Sequence, residues 1–92
     1  MWESSEAIME DIAKVVQHFI LQEFLPGEDP HELTTRTPLI TGGILDSIST
    51  LKLVTFLEDR FGITVEAYEA GVDRLDTIQQ IAELVVEKKT AA

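Results

Sequence analysis

The chain has 92 residues, a formal net charge of −10 and no cysteine. The missing cysteines exclude a disulfide framework and a thiolate metal site, and the acidity makes nucleic acid and anionic membrane surfaces poor partners because both would repel the chain. A basic patch on another protein is the natural complement. We predict a single domain over residues 1–92, and a monomer. We also predict a cytoplasmic protein, since the first residues lack the basic region and apolar run of a signal peptide.

The first predicted helix runs from about Ser4 to Phe24. It repeats apolar residues within a narrow arc, which is typical of an amphipathic helix packed on a core. These residues are Ile8, Ile12, Val15 and Phe19. The helix ends at Leu25-Pro26-Gly27, because proline and glycine interrupt the pattern.

Residues 25–46 follow without a sustained period, and a connection of about 22 residues is unusually long. Apolar residues recur along it as anchors that would pin the segment across the helix ends: Leu33, Leu39, Ile40, Ile44 and Leu45. We predict an ordered crossover with a short helical turn.

The second predicted helix begins at Asp46-Ser47 and runs to Phe61, since both residue types start helices and no glycine or proline intervenes. A helical wheel predicts a core-facing side made of Leu51, Leu53, Val54, Leu57 and Phe61. The opposite side carries Ile48, Lys52, Thr55 and Asp59, with Phe56 at its edge. Apolar residues on that side are either ordinary scattered surface residues or part of a docking face.

Gly62 then reads as a helix C-cap, and 63–65 is too short a β-like run to predict a sheet. We predict one short helical turn over Glu66–Ala70, closed by Gly71. A last helix follows, with Asp76 as N-cap paired with Gln79, and with an apolar stripe at Ile78, Ile81, Ala82 and Val85. The predicted fold is all-α, a small four-helix bundle of three long helices and one short one with a long first crossover loop.

No catalytic or metal-binding constellation accompanies these elements. Residues 45–49 lack the glycines of a nucleophile elbow, Gly42-Gly43 does not continue into a P-loop, and residues 28–32 lack the spacing of a calcium loop. Ser47 is either a simple capping residue or an attachment point for a phosphorylated group, because the positive end of a helix dipole favours an anion.

Residues 37–48, with Leu51 and Val54, resemble the attachment region of acyl carrier proteins, and the similarity continues through residues 56–63 and 76–78. The resemblance implies a non-catalytic carrier in which a phosphopantetheinyl transferase attaches 4′-phosphopantetheine from coenzyme A to Ser47. The Mg²⁺ of that reaction would belong to the transferase. The arm would hold acyl groups as thioesters for partner enzymes of a specialised fatty-acid, lipid or polyketide-type pathway.

The resemblance also implies a partner surface on the second helix and the loop before it, for which we predict Asp46, Ile48, Lys52, Thr55, Phe56 and Asp59 as the first contacts. Carriers of fatty-acid synthesis usually place acidic residues directly after the serine, whereas this chain has Ser49, Thr50 and Lys52 there. We therefore expect a small, dedicated set of acyl- or aminoacyl-activating and acyl-transferring partners. A long apolar cargo would slip between helices lined by Leu51, Val54 and Ile78, and a short or polar one would stay outside.

Two alternatives remain open from the sequence. The segment Gly43-Ile44-Leu45-Asp46-Ser47-Ile48 is also similar to D-alanyl and peptidyl carriers, so an aminoacyl cargo stays open as the alternative to an acyl cargo. The other alternative is an unmodified helical docking or regulatory module in which Ser47 is only structural.

Overall fold

The computed structural model describes residues 5–90, with the side chains of residues 8–29 and 31–89. Within this range the chain forms four α-helices and no strand: α1 (Ser5–Phe24), α2 (Ser47–Phe61), α3 (Val72–Leu75) and α4 (Ile78–Thr90). Two short 3₁₀ turns, Pro30–Glu32 and Ala67–Glu69, lie in the connections. The all-α four-helix prediction is confirmed, and the predicted start at Ser4 lies outside the described residues.

The core lies between α1 and α4, the pair of helices in most extensive contact. The side of α1 that it buries is Ile12, Val16 and Ile20. The sequence prediction was wrong for the rest of the α1 stripe, because Ile8 is 37% exposed, and Val15 and Phe19 are only partly buried. A spacing of four residues keeps Ile12, Val16 and Ile20 in one row along the helix, which suits packing against a single neighbouring helix.

The long connection between α1 and α2 is ordered by its apolar anchors, as predicted. Leu33, Leu39 and Leu45 are buried, and Ile40 and Ile44 pack against the same core. The expected short helical turn is the 3₁₀ turn at Pro30–Glu32. Burying these side chains offsets the entropy cost of ordering a long segment.

The two ends of α2 agree with the sequence. Asp46 is its N-cap, and Gly62 is its C-cap in the left-handed conformation (φ 67°), with its N–H donating to the Glu58 carbonyl. Leu53 and Leu57 are fully buried. Thr50 is 9% exposed, and its hydroxyl donates to the Asp46 carbonyl at 2.7 Å. The core-facing prediction was wrong at Leu51, which is 65% exposed.

The segment between α2 and α4 departs from the sequence prediction. The short α-helix lies after Gly71, over Val72–Leu75, so this glycine starts a helix instead of closing one. The predicted turn before it is the 3₁₀ turn Ala67–Glu69. Glu69 is 5% exposed and forms a 2.6 Å ion pair with Lys88 of α4, which fastens this turn to the bundle.

The N-cap of α4 is Thr77, not Asp76 as the sequence predicted. The Thr77 hydroxyl accepts from the Gln80 N–H, and the Gln80 side-chain oxygen accepts from the Thr77 N–H, both at 3.1 Å. This reciprocal capping box leaves Asp76 free for a different role in the crossover loop. Within residues 5–90, no helix combines the length and the apolar character that a membrane crossing requires.

Candidate functional site

Ser47 occupies the first turn of α2 and is exposed to solvent. The residue before it, Asp46, caps the helix by accepting from the Ser49 N–H at 2.7 Å. That hydrogen bond is the main reason why the pKa of the Asp46 carboxyl is below its usual value, and the Ser49 hydroxyl adds to the effect. Asp46 is therefore a fixed anion at neutral pH that holds the first turn in shape.

The loop before Ser47 is held by two backbone anchors. The N–H groups of Ile44 and Leu45 both donate to the Leu39 carbonyl, at 2.8 and 2.9 Å. A Cβ on Gly42 would collide with the Pro38 carbonyl oxygen, so this close turn requires glycine. Leu45 is buried while Asp46 and Ser47 are exposed, and the chain thus leaves the core immediately before the serine.

Asp76 supplies the second fastening of this loop. Its carboxylate accepts from the N–H groups of Ile40 and Thr41, at 2.9 and 2.8 Å, and from the Thr41 hydroxyl at 2.9 Å. The Leu39 N–H donates to the Asp76 carbonyl at 2.6 Å. Residues 39–41 are therefore tied to the junction of α3 and α4, and this fixes the direction from which the chain enters α2.

In the described part of the chain the Ser47 hydroxyl makes no hydrogen bond, and no group of three or more His, Cys, Asp or Glu residues is arranged to hold a metal ion. His31 pairs with Asp29 inside its own exposed turn at 3.1 Å. What Ser47 offers is an accessible hydroxyl beside the N–H groups of a helix N-terminus, where an anionic substituent is favoured.

An open groove of about 700 Å³ runs along α2 on the exposed side of the helix and onto α1. Five of the six predicted partner residues line it, and Asp46 lies at the adjacent N-cap. The full lining is Phe19, Glu23, Ile48, Leu51, Lys52, Thr55, Phe56, Asp59 and Arg60. We call this the docking groove. These five residues thus lie on one face of α2, and the role of that face as a partner surface stays a prediction.

Sequence reasoning missed Leu51 and Phe19 as parts of this surface. At about 100° per residue, Leu51 lies about 160° from Leu53 and about 120° from Leu57, which define the true core direction. A helical wheel centred on Leu53 and Leu57 places Leu51 on the exposed side of α2. Phe19 stacks on Phe56 with ring centroids 4.0 Å apart, so it closes the groove between α1 and α2 instead of entering the core.

The predicted apolar path for a long cargo is not formed by the residues named for it. Leu51 faces solvent at 65% exposure, whereas Ile78 is closed inside the core at 1%. The two side chains therefore do not line one space between helices. The prediction was wrong because it placed Leu51 on the inner side of α2.

A small helical bundle that presents a serine hydroxyl at a helix N-terminus, beside an exposed apolar groove, has the features of a carrier protein. Over 77 residues the chain is 35% identical to the D-alanyl carrier protein of Streptococcus suis (strain 98HAH33), a match that covers 84% of this chain and 94% of the relative. It is 42% identical to the D-alanyl carrier protein of Streptococcus sanguinis (strain SK36) over 53 residues, which are 58% of this chain and 67% of that relative. No family model matches the chain. On this similarity the chain belongs to the acyl carrier protein family, as its sequence predicted, and is a carrier protein.

Proposed function

We propose that the protein carries a D-alanyl or closely similar aminoacyl group on 4′-phosphopantetheine attached to Ser47. The observation that carries the proposal is that a relative named D-alanyl carrier protein is 35% identical to the chain over 94% of its own length. These names support the aminoacyl alternative better than a fatty-acid, lipid or polyketide-type pathway. The cargo is then small and polar, which agrees with a core that is closed at Ile78.

The residues around Ser47 fit such an arm. Its hydroxyl is exposed and makes no hydrogen bond within the described residues, so nothing on this protein has to be displaced before it reacts. Asp46 is held on the Ser49 N–H, which keeps its negative charge directed at the helix backbone. When attached, the arm would supply a terminal thiol that holds the cargo as a thioester.

Loading the arm requires little from the carrier beyond the position of one oxygen. Ser47 Oγ attacks the phosphorus of coenzyme A that bears the pantetheine group, and a new P–O bond forms. The bond from that phosphorus to the bridging oxygen breaks, adenosine 3′,5′-bisphosphate leaves, and the hydroxyl proton passes to a base of the transferase. The helix N-terminus at Ser47 then favours the negative charge of the resulting phosphodiester.

Partner enzymes would approach over the docking groove. Ile48 lies one residue from Ser47 and is 67% exposed, and Leu51 is one turn further at 65%. Covering such exposed aliphatic surface with a partner removes it from water, which stabilises the complex. Lys52, Thr55, Phe56 and Asp59 would supply the polar and aromatic contacts around these two side chains.

The attachment is tested by expressing the protein with a broad-specificity phosphopantetheinyl transferase and measuring its intact mass. The wild-type chain should gain the mass of one phosphopantetheine, Ser47→Ala should gain none, and Ser49→Ala should behave as wild type. Ser49→Ala is the matched control because its backbone N–H, which caps onto Asp46, is retained. A bare wild-type chain, or a gain that persists in Ser47→Ala, would refute the attachment.

The cargo is tested by offering the modified protein to adenylating enzymes supplied with D-alanine, L-alanine or a medium-chain fatty acid. We expect the D-alanine enzyme to load the arm fastest, with the product detected by intact mass and released by hydroxylamine. Faster loading with the fatty acid would refute the aminoacyl cargo and favour an acyl cargo.

A further inference from the structure

The basic side chains of this acidic protein are unevenly distributed. Three of them are engaged: Arg74 pairs with Glu87 at 2.9 Å, Lys88 pairs with Glu69 at 2.6 Å, and Lys89 donates to the Phe61 carbonyl at 3.2 Å. The other four, which make no ion pair within the described residues, are Lys14, Arg36, Lys52 and Arg60. All of these except Arg36 lie on the face shared by α1 and α2.

Two of these cations border a second depression of about 430 Å³ next to the docking groove. Its floor is apolar, since the rings of Phe19 and Phe56 stack there with centroids 4.0 Å apart and planes 13° apart. The complete lining is Lys14, Val15, His18, Phe19, Gln22, Phe56 and Arg60. We call this the aromatic shelf. None of the acidic residues that the structure describes lines it.

We infer that the aromatic shelf docks an acidic segment of the aminoacyl-activating enzyme, in which carboxylates flank an aliphatic or aromatic side chain. The inference rests on the proposed function for the identity of that enzyme. The apolar side chain would cover the ring of Phe56, and the carboxylates would meet Lys14 and Arg60. Charges that meet over an apolar floor lose part of their water, so each attraction is stronger than between fully solvated groups.

Charge complementarity selects this occupant over the others. A basic partner patch, the complement expected from the overall charge of −10, fits the acidic remainder of the surface but is repelled at the shelf. Anionic lipid and nucleic acid would meet few cations here and strong repulsion from the rest of the chain. A protein segment can present its carboxylates to the shelf and keep its other surfaces neutral or basic.

The shelf is continuous with the docking groove, because Phe19, Phe56 and Arg60 line both. Arg60 is 13 residues after Ser47 along α2, or about 20 Å at 1.5 Å per residue. A partner seated there leaves the serine and its arm uncovered. The shelf is therefore suited to choosing a partner and orienting it, while the chemistry takes place at the other end of the helix.

Calorimetric titration of the D-alanine-adenylating enzyme with the phosphopantetheine-bearing protein tests the inference. Arg60→Glu and Lys14→Glu should each weaken binding about 5- to 10-fold at low salt. Arg36→Glu, which makes the same change of charge in the crossover loop, should stay within about twofold. The separation between shelf and control variants should shrink at high salt, because the charges are then screened.

Failure of the wild-type protein to bind, equal loss in Arg36→Glu and the shelf variants, or tighter binding by a shelf variant would each overturn the inference. The inference would also be overturned if the wild-type protein formed a dimer, or bound anionic vesicles, and the shelf variants did not. Circular dichroism melts identify any variant that has lost its fold, and Lys14→Glu covers the case in which Arg60→Glu weakens the end of α2. Loading of the arm with D-alanine is measured separately. A protein that is not loaded fails the proposed function, whereas a protein that is loaded but binds equally well in the shelf variants fails only the shelf inference.

Discussion

The carboxylate of Asp76 should be the main fastening of the loop that leads to Ser47. Asp76→Ala removes three hydrogen bonds, those from the N–H groups of Ile40 and Thr41 and from the Thr41 hydroxyl. Asp76→Asn keeps one side-chain oxygen as acceptor and loses the negative charge. The bond from the Leu39 N–H to the Asp76 carbonyl is a backbone contact and is available to both variants.

The loss can be sized from the exposure of these groups. A hydrogen bond to a charged group contributes about 1.5–3 kcal/mol when buried, but Asp76 is only half-buried and Thr41 is exposed, so water replaces part of each bond. At about 0.5–1 kcal/mol for each of the three bonds, Asp76→Ala should lower the free energy of unfolding by about 1.5–3 kcal/mol. Asp76→Asn should lose about 1 kcal/mol, which for a domain of this size lowers the Tm by about 4–8 °C.

The effect should depend on pH in a defined direction. Donation from the Thr41 N–H is the largest cause that holds the pKa of Asp76 below its ordinary value of 3.8. A lowered pKa means that the folded state binds the proton less readily than the unfolded chain, so the carboxylate stabilises the fold above that ordinary value. This contribution is lost as the pH falls through the folded pKa, and the wild-type protein should then approach Asp76→Asn.

Thermal unfolding followed by circular dichroism at neutral and acid pH measures both effects. Asp73→Ala is the control, because Asp73 is exposed in α3 and has no part in holding the loop. A Tm loss in Asp73→Ala equal to that in Asp76→Ala would refute the fastening. So would a gap between wild type and Asp76→Asn that stays constant from neutral to acid pH.

Three further predictions concern two helix caps and the ion pair between Glu69 and Lys88. Gly62→Ala should lower the free energy of unfolding by about 1 kcal/mol, because alanine is strained in the left-handed conformation at φ 67°. As a control, Gly71→Ala should change the Tm little, since the φ of Gly71 is −133° and a Cβ there meets nothing within 4 Å. Thr77→Ala should cost about 1 kcal/mol in denaturant unfolding, and Thr77→Ser, which keeps the capping oxygen, should restore most of it. Glu69→Gln should lower the Tm at neutral pH, because the variant loses the ion pair with Lys88, which is the main cause of the lowered pKa of Glu69. The difference in Tm from the wild type should close as the pH falls below 4.5, the ordinary pKa of this carboxyl. A difference that persists in acid would contradict the ion pair.

The parts of the fold that the sequence predicted well are those set by local chemistry. The bounds of α2 follow from Asp46 and Gly62, whose capping roles depend only on neighbouring backbone groups. The choice between Asp76 and Thr77 as N-cap could not be made locally, since both residue types cap helices. Contacts with residues 39–41, distant in the chain, recruit Asp76 and leave the cap to Thr77.

The candidate site was predictable in its position and less so in its shape. Ser47 and the exposed side of α2 follow from the motif and the helical period, whereas the α1 half of the groove depends on how two helices face each other. The pattern of α1 alone predicts Phe19 as a core residue. It lines the docking groove because it stacks on Phe56 of α2. Hydrophobic periodicity finds the buried side of a helix but not the partner of an aromatic residue at its border.

The exposure of Ile48 and Leu51 is the strongest physical reason to treat this side of α2 as a working surface. Fully burying such a side chain stabilises a protein by about 1.5–3 kcal/mol, and these two remain 67% and 65% exposed in a small domain with few core residues to spare. Most of that free energy remains unrealised until another surface covers them. Because Ile48 is adjacent to Ser47 and Leu51 lies about one helical turn from it, a partner that buried these two side chains would be positioned at the serine by the same contact.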